Sequence, residues 1–289
     1  MNNRKGIILA GGMGTRLYPA TSVISKQILP IYDKPTIYYA LSTLMLSKIK
    51  DIFIISSPRD LPAFQSLLGD GSHIGININY GEQLSPKGLA EALIIAERFL
   101  DGCPSCMILG DNIFYGGGLS SLLENANNEL NTTIFTYQVS NPSKYGILEV
   151  NNADIPVSVI EKPQKPSSNL AITGLYFFDE NASEYARAVK PSKRGELEIT
   201  DVIAQYIKLE KLKPIQLSRG IAWLDTGTSD ALFEASLFVS TIQKRTGLKI
   251  CCPEEIAWRN GWISDIDLNS LGQDINQSEY GKYLINLLK

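Results

Sequence analysis

The stretch Gly6-Ile7-Ile8-Leu9-Ala10-Gly11-Gly12-Met13-Gly14-Thr15-Arg16 carries an apolar strand straight into a glycine-rich loop that closes on an arginine. Glycine lets backbone N–H groups turn toward an anion that a Cβ would hold off, and a guanidinium grips two phosphate oxygens at once. The stretch therefore predicts an anion cradle at the end of a buried strand, with a polyphosphate as its ligand. Two familiar phosphate loops fail on spacing. A Walker loop ends in Gly-Lys-Ser/Thr where this chain has Thr15-Arg16-Leu17, and a dinucleotide fingerprint has a third glycine where Leu17 stands. The second apolar run, Asp51-Ile52-Phe53-Ile54-Ile55-Ser56-Ser57, ends in serines and lacks the acid that would hold a ribose.

Working outward, apolar strands at 6–10, 52–56, 76–80 and 107–109 alternate with helical periodicity at 36–47, 61–68 and 89–99. This alternation is the mark of a mostly parallel α/β sheet with crossover helices. From Thr132 the spacing shortens, with strands expected at 133–139, 146–150, 157–160 and 172–178. These read as a second sheet region, mixed or antiparallel, closing over the first. Helices return at 182–189, 200–211 and 230–245, and the tail after Gly247 carries short helical patterns, among them 278–288. That tail is too short for a core of its own and is expected to pack on the body or on a neighbouring subunit.

The 289 residues are 44% hydrophobic and 20% charged, enough to bury a full core. A formal charge of −3 and a pI near 5.4 leave no basic footprint for nucleic acid and no polybasic surface for a membrane. The opening Met1-Asn2-Asn3-Arg4-Lys5 resembles the charged start of a signal peptide, but the apolar stretch after it is short and runs into glycines. A soluble, cytoplasmic protein is expected. Cys103-Pro104-Ser105-Cys106 has redox spacing, yet Cys106 opens a buried strand rather than a helix. With His73 the sole histidine, a histidine base or a multi-histidine metal site is not expected. Chemistry here would fall to carboxylates, cations and a hard metal.

Lys26 lies in Ser25-Lys26-Gln27-Ile28-Leu29-Pro30, a segment that prolines hold extended and that is expected to return across the phosphate loop. Met107-Ile108-Leu109-Gly110-Asp111-Asn112 places an acid past the carboxyl edge of a parallel sheet, where open α/β folds bind ligands. Asp111 suits Mg²⁺, which prefers one or two carboxylates plus substrate oxygens, although acids also cap turns at such places. Asp225, in Trp223-Leu224-Asp225-Thr226-Gly227, could supply a second metal ligand or cap the helix that follows. In Ile160-Glu161-Lys162-Pro163 a carboxylate and an ammonium stand side by side, suited to sugar hydroxyls and a phosphate or to a solvated surface pair. Tyr145-Gly146 and Thr173-Gly174 offer flat or close-approach surfaces for a sugar ring.

Together these segments, with Leu29-Pro30-Ile31-Tyr32-Asp33-Lys34-Pro35, Gly110–Gly116, Arg194–Asp201 and Trp223–Gly227, resemble the sugar nucleotidyltransferases, and within them the glucose-1-phosphate thymidylyltransferases. The resemblance covers nearly the whole chain. It implies the nucleotide-diphospho-sugar transferase fold: a Rossmann-like, mostly parallel nucleotide-binding sheet, a mixed sugar-binding region and a C-terminal helical segment. A catalytic domain over 1–246 would be mainly nucleotide-binding in 1–130 and sugar-binding in 131–228, with 247–289 as the appended segment.

The implied reaction joins dTTP and α-D-glucose 1-phosphate into dTDP-glucose and pyrophosphate, at the head of deoxysugar routes such as that to dTDP-rhamnose. By the same resemblance Arg16, Lys26 and Lys162 are catalytic, meeting the departing pyrophosphate, the α-phosphate and the sugar phosphate. Gly11, Gly12, Gly14, Thr15, Gln27, Gln83, Gly88 and Asp111 would contact the nucleotide, with Gln83 and Gly88 reading the pyrimidine edge. Asn112, Tyr145, Gly146, Glu161, Thr173 and Trp223 would border the sugar. Asp111 and Asp225 would hold Mg²⁺. The resemblance also implies a homotetramer regulated by a dTDP-sugar end product at Arg219, Cys252, Glu255, Ile256 and Arg259. Met13 departs from the serine usual in the family, so an altered nucleotide affinity is expected. A UTP-using or other-sugar enzyme, or a non-catalytic nucleotide-sugar sensor, remains the alternative.

Overall fold

The computed structural model describes residues 3–289, so Met1 and Asn2 of the charged opening lie outside the described residues. Arg4 is 5% exposed and donates to the carbonyls of Ser105, Phe178 and Glu129, which ties the start of the first strand to its neighbours.

Parallel strands β1 (Lys5–Leu9), β4 (Asp51–Ser56), β5 (Asn77–Glu82) and β6 (Ser105–Leu109) form one wing of the main sheet, in the order β6-β1-β4-β5. Between β1 and β4 come a short hairpin, β2 (Pro30–Ile31) and β3 (Lys34–Pro35), and helix α1 (Ile37–Leu46). Helix α2 (Leu61–Leu68) crosses from β4 to β5, and α3 (Glu91–Ile95) and α4 (Glu97–Leu100) lead to β6; the helix expected over 89–99 is divided at Ala96. Ile8, Ala10, Ile52, Ile54 and Ile108 face one core, whereas Ile7, Leu9, Ile55 and Met107 face the other. Burial on both faces explains why these strands read as unbroken apolar runs.

Beyond β6 come β7 (Asn112–Gly116), α5 (Leu119–Asn128), β8 (Thr132–Gln138), β9 (Gly146–Val150), β10 (Pro156–Glu161) and β11 (Leu170–Phe178). The expected second sheet closing over the first is not what forms. Strand β11 is antiparallel to β6 through Leu175–Phe178, to β9 at its start and to β8 from Leu170 to Phe177, so the two regions are one nine-stranded sheet. A nine-residue strand is long enough to pair with different partners at its two ends. Periodicity identifies a strand but not its neighbour.

Helices α6 (Ala182–Ala188) and α7 (Ile199–Lys208) cover the second core, and β12 (Leu212–Gln216) extends the sheet beside β8. Strand β13 (Ile221–Asp225) pairs antiparallel with β7 in a separate ribbon, and the 18-residue α8 (Ser229–Thr246) follows. The tail forms α9 (Pro253–Arg259), α10 (Asp265–Asp274) and α11 (Glu279–Asn286). Its cluster of Cys252, Leu268 and Leu284 is small, and it gains support by setting Ile256, Ala257 and Trp262 against the main core. Among the described residues no helix is long and apolar enough to cross a membrane.

Candidate active site

The loop after β1 is shaped by what passes close to it. A Cβ on Gly11 would stand 2.5 Å from Gln83 Oε1, so glycine leaves room for that amide where it lies beneath the loop. Gly12 and Gly14 have φ of 94° and 60°, in the left-handed region that L side chains avoid. Thr21 donates to the Gly14 carbonyl at 2.8 Å, and Gln27, 1% exposed, donates to Gly11 O at 3.5 Å while accepting from Ser25 Oγ. Gln27 thereby holds the loop from below. Thr15–Leu17 make a single helical turn that lifts Arg16 outward, and Met13 is exposed on the loop.

The acids come from two strand ends. Asp111 follows β6, and the β7–β13 register places Asp225 opposite Asn112. Thr226 locks the junction by donating both its N–H and its hydroxyl to the Asp111 carbonyl, at 3.2 and 2.9 Å. Asp111 is 7% exposed; its carboxylate pairs with the Lys26 ammonium and accepts from Asn112 Nδ2 at 3.0 Å. Burial would raise its pKa, but the Lys26 charge and these hydrogen bonds outweigh burial and hold it below the usual carboxylate value. Asp225 goes the other way: burial first, then the Asp111 charge, push its carboxyl up despite Lys26 and Arg16. Two carboxylates near one another, with the Arg16 guanidinium and Asp225 Oδ1 both close to Gly227, make a strongly polar floor.

The opposite wall belongs to β9, β10 and the turn before α7. Lys162, at φ 42°, donates its backbone N–H to the Tyr145 carbonyl, which fixes the strand end that presents Glu161. Arg194 draws in three acids, Glu161 at 3.3 Å, Glu196 at 2.8 Å and Glu198 at 3.5 Å. Trp223 donates to Asn112 Oδ1 at 2.6 Å, and its ring lies 5.2 Å from that of Tyr145. The resulting cleft encloses about 730 Å³. Arg16, Lys26, Asp111, Asn112, Tyr145, Gly146, Glu161, Lys162, Trp223 and Asp225 all line it.

The remaining expected residues are not among those lining the cleft. Thr173 is fully buried and donates to Phe135 O, while Ile172, Gly174 and Tyr176 on the alternate face of β11 line the cleft. Gln83 lies under the glycine loop with its Nε2 on Glu91 at 2.8 Å. Gly88 has φ 114°, and a Cβ there would meet the backbone of Leu197 at 2.4 Å. A Gly88→Ala variant is therefore expected to lose roughly 2–4 kcal/mol of stability, read by urea unfolding. Cys252 is buried and accepts from Tyr280 OH; Glu255 accepts from Arg259 and Tyr283, and Ile256 packs on the core. Arg219 lies in the exposed turn before β13, with no ion pair to that group among the described residues. Arg194, Glu198 and Lys144 also line the cleft, residues to which the sequence alone gives no role. For Arg194 the signal was present, since Arg194-Gly195-Glu196-Leu197-Glu198 is a charged turn.

A family model described as nucleotidyl transferase matches residues 5–242. The chain belongs to that family. This nucleotidyltransferase is 54% identical over 290 aligned positions to a glucose-1-phosphate thymidylyltransferase of Xanthomonas campestris pv. campestris (strain B100), covering 100% of this chain and 98% of the relative. A structure described as a glucose-1-phosphate thymidylyltransferase of Bacillus anthracis, crystallised with sucrose, is similar at TM-score 0.75 and 36% identity. The likeness spans 81% of this chain and 94% of that one. A UDP-glucose pyrophosphorylase complexed with UDP-glucose is similar at TM-score 0.73 and 25% identity, over 85% of this chain and 100% of that one.

Proposed function

We propose that this nucleotidyltransferase moves a thymidylyl group from dTTP to α-D-glucose 1-phosphate, giving dTDP-glucose and pyrophosphate. The observation that carries the proposal is the cleft itself, which Arg16, Lys26 and two carboxylates line together with Glu161, Lys162 and Arg194. The relatives named as glucose-1-phosphate thymidylyltransferases support the choice of substrates.

The sugar phosphate attacks as an anion already, so no general base is needed and the single histidine, in the turn 72–74, has no part to play. The obstacle is charge. Each pair of unit charges at ~4 Å repels by roughly 4 kcal/mol at an effective dielectric near 20, and several such pairs meet. The protein's task is neutralisation and in-line placement. Arg16 receives the departing pyrophosphate, Lys26 the α-phosphate and Lys162 the incoming sugar phosphate. Glu161 accepts from sugar hydroxyls, and the Tyr145–Trp223 pair gives the ring an apolar wall.

The donor set fits a divalent cation. Asp111 and Asp225 both line the cleft, and burial first and then the Asp111 charge raise the pKa of Asp225, so a cation between the two acids would be favoured. Mg²⁺ held by Asp111 and Asp225 would neutralise phosphate oxygens there, its other positions being left to substrate and water. A homotetramer, with a dTDP-sugar product binding around Arg219, Cys252, Glu255, Ile256 and Arg259, is the proposed regulated form. The cytoplasm, where nucleotide pools lie, is its proposed location.

The test is a matrix of nucleoside triphosphates and hexose 1-phosphates with Mg²⁺, scored for pyrophosphate and sugar nucleotide together. Preference for dTTP with glucose 1-phosphate is expected. Likeness to the UDP-glucose pyrophosphorylase makes UTP the competing base, and binding without turnover across the matrix would favour a sensor. Within the proposal, Lys162→Ala is expected to raise the KM for glucose 1-phosphate about tenfold or more with little change for dTTP. Equal losses for both substrates would remove its assigned role.

A further inference from the structure

A second cavity, of about 320 Å³, opens between the end of α8 and α11, away from the catalytic cleft. Gln243 and Lys244 of α8, Lys249 after it, Tyr32 of the β2–β3 hairpin and Lys282 and Tyr283 of α11 line it. Gln243 is out of place. The buried stripe of α8 is Ala235, Val239 and Gln243, so an amide occupies a position where the helix otherwise buries apolar groups. Gln243 is 6% exposed, and neither its Oε1 nor its Nε2 has a hydrogen-bond partner. Buried polar groups are paired as a rule, and an orphan donor and acceptor at a cavity wall mark a place for something that pairs them.

The charges around the cavity say what that is. Asp33 serves two ammoniums, Lys34 at 2.7 Å and Lys249 at 2.6 Å. Lys282 pairs with Glu279 at 2.9 Å, while Lys244 lies over the Tyr32 ring at 6.0 Å with no carboxylate partner among the described residues. Three ammoniums, Lys244, Lys249 and Lys282, thus line the cavity with a single carboxylate, Glu279. We infer that this cavity is a second anion site, built for a small phosphate-bearing molecule. Lys244 and Lys282 meet the phosphate, the Gln243 N–H donates to it, and the Gln243 carbonyl accepts from a hydroxyl on the same ligand or from water. The volume is at the lower end of small-molecule pockets, which excludes a full nucleotide sugar and suits a phosphate or a compact organic phosphate. The inference does not depend on the reaction proposed above.

The experiment is calorimetric titration of the full chain carrying Arg16→Ala and Lys162→Ala, which weaken phosphate binding in the catalytic cleft. Inorganic pyrophosphate and glucose 1-phosphate are titrated separately. One remaining site per chain is expected, weakened about tenfold by adding Lys244→Ala with Lys282→Ala, and at least as much by adding Gln243→Glu, which puts a negative charge beside the anion. Lys244 and Lys282 are exposed, so the double substitution keeps the fold whatever Gln243→Glu does. Binding of pyrophosphate alone would assign the site to inorganic anions; binding of both would assign it to the phosphate group they share. No remaining binding of either, or remaining binding indifferent to the lysine pair, overturns the inference.

Discussion

Lys26→Ala is expected to lower kcat by about a hundred- to a thousandfold, the usual cost of removing one preorganised charge from a developing phosphoryl centre. A second effect separates this lysine from a merely solvated one. Its ammonium is the ion-pair partner of Asp111, and the two side chains are only 17% and 10% exposed. Removing it leaves a buried carboxylate without its cation, beside Asp225, at a cost of about 3 kcal/mol or more near neutral pH. The sign with pH follows from the low pKa of Asp111 in the folded chain. That contribution is complete above the ordinary carboxylate value and is lost as pH falls through the lowered one. The stability gap between parent and variant should therefore narrow on acidification. Steady-state kinetics with urea unfolding at neutral and acid pH would check both halves. A variant with normal turnover, or with a gap that widens in acid, would contradict the assignment.

Asp225→Asn should separate stability from activity. The Asp225 carboxyl has its pKa raised by burial and then by Asp111, so its ionised form is held at a cost in the folded chain. A raised pKa means that stability falls as pH climbs from the ordinary carboxylate value through the folded one, with the full penalty above both. Asparagine removes the charge and keeps the oxygen that accepts the Gly227 N–H at 3.0 Å. In metal-free buffer near neutral pH the variant should melt about 2–4 °C higher, the shift about 1 kcal/mol gives in a chain of this size. Turnover with Mg²⁺ should fall about a hundredfold or more. Melting curves with and without a chelator, at neutral pH and near pH 4, are the check. The advantage should shrink as pH falls through the raised value toward the ordinary carboxylate value, and should reverse when the divalent ion is added.

Much of this frame is legible because its signals are local. The strands β1, β4 and β6 announce themselves as apolar on both faces, and Arg16 and Asp111 follow directly from strand ends. Asp225 is harder to place, since its closeness to Asp111 depends on the β7–β13 ribbon. The residues Asn112-Ile113-Phe114-Tyr115-Gly116 come straight after another strand and resemble a loop. The single sheet escapes sequence reading for a related reason, because β11 chooses three partners that pattern does not identify. Parity was available and decisive at Thr173, whose side chain points away from the face that carries Ile172, Gly174 and Tyr176. Gly88 carries a structural constraint of its own. Its freedom is consumed by the Leu197 backbone, an approach no spacing discloses.

The central claim is direct in-line attack by the sugar phosphate, with the protein supplying charge and placement rather than a covalent relay. The most direct measurement is the stereochemical course at the α-phosphorus, using dTTP made chiral there by sulfur substitution and glucose 1-phosphate as acceptor. One in-line displacement predicts inversion of configuration in the sugar nucleotide. Retention would require two displacements through a nucleotidylated side chain and would contradict the account.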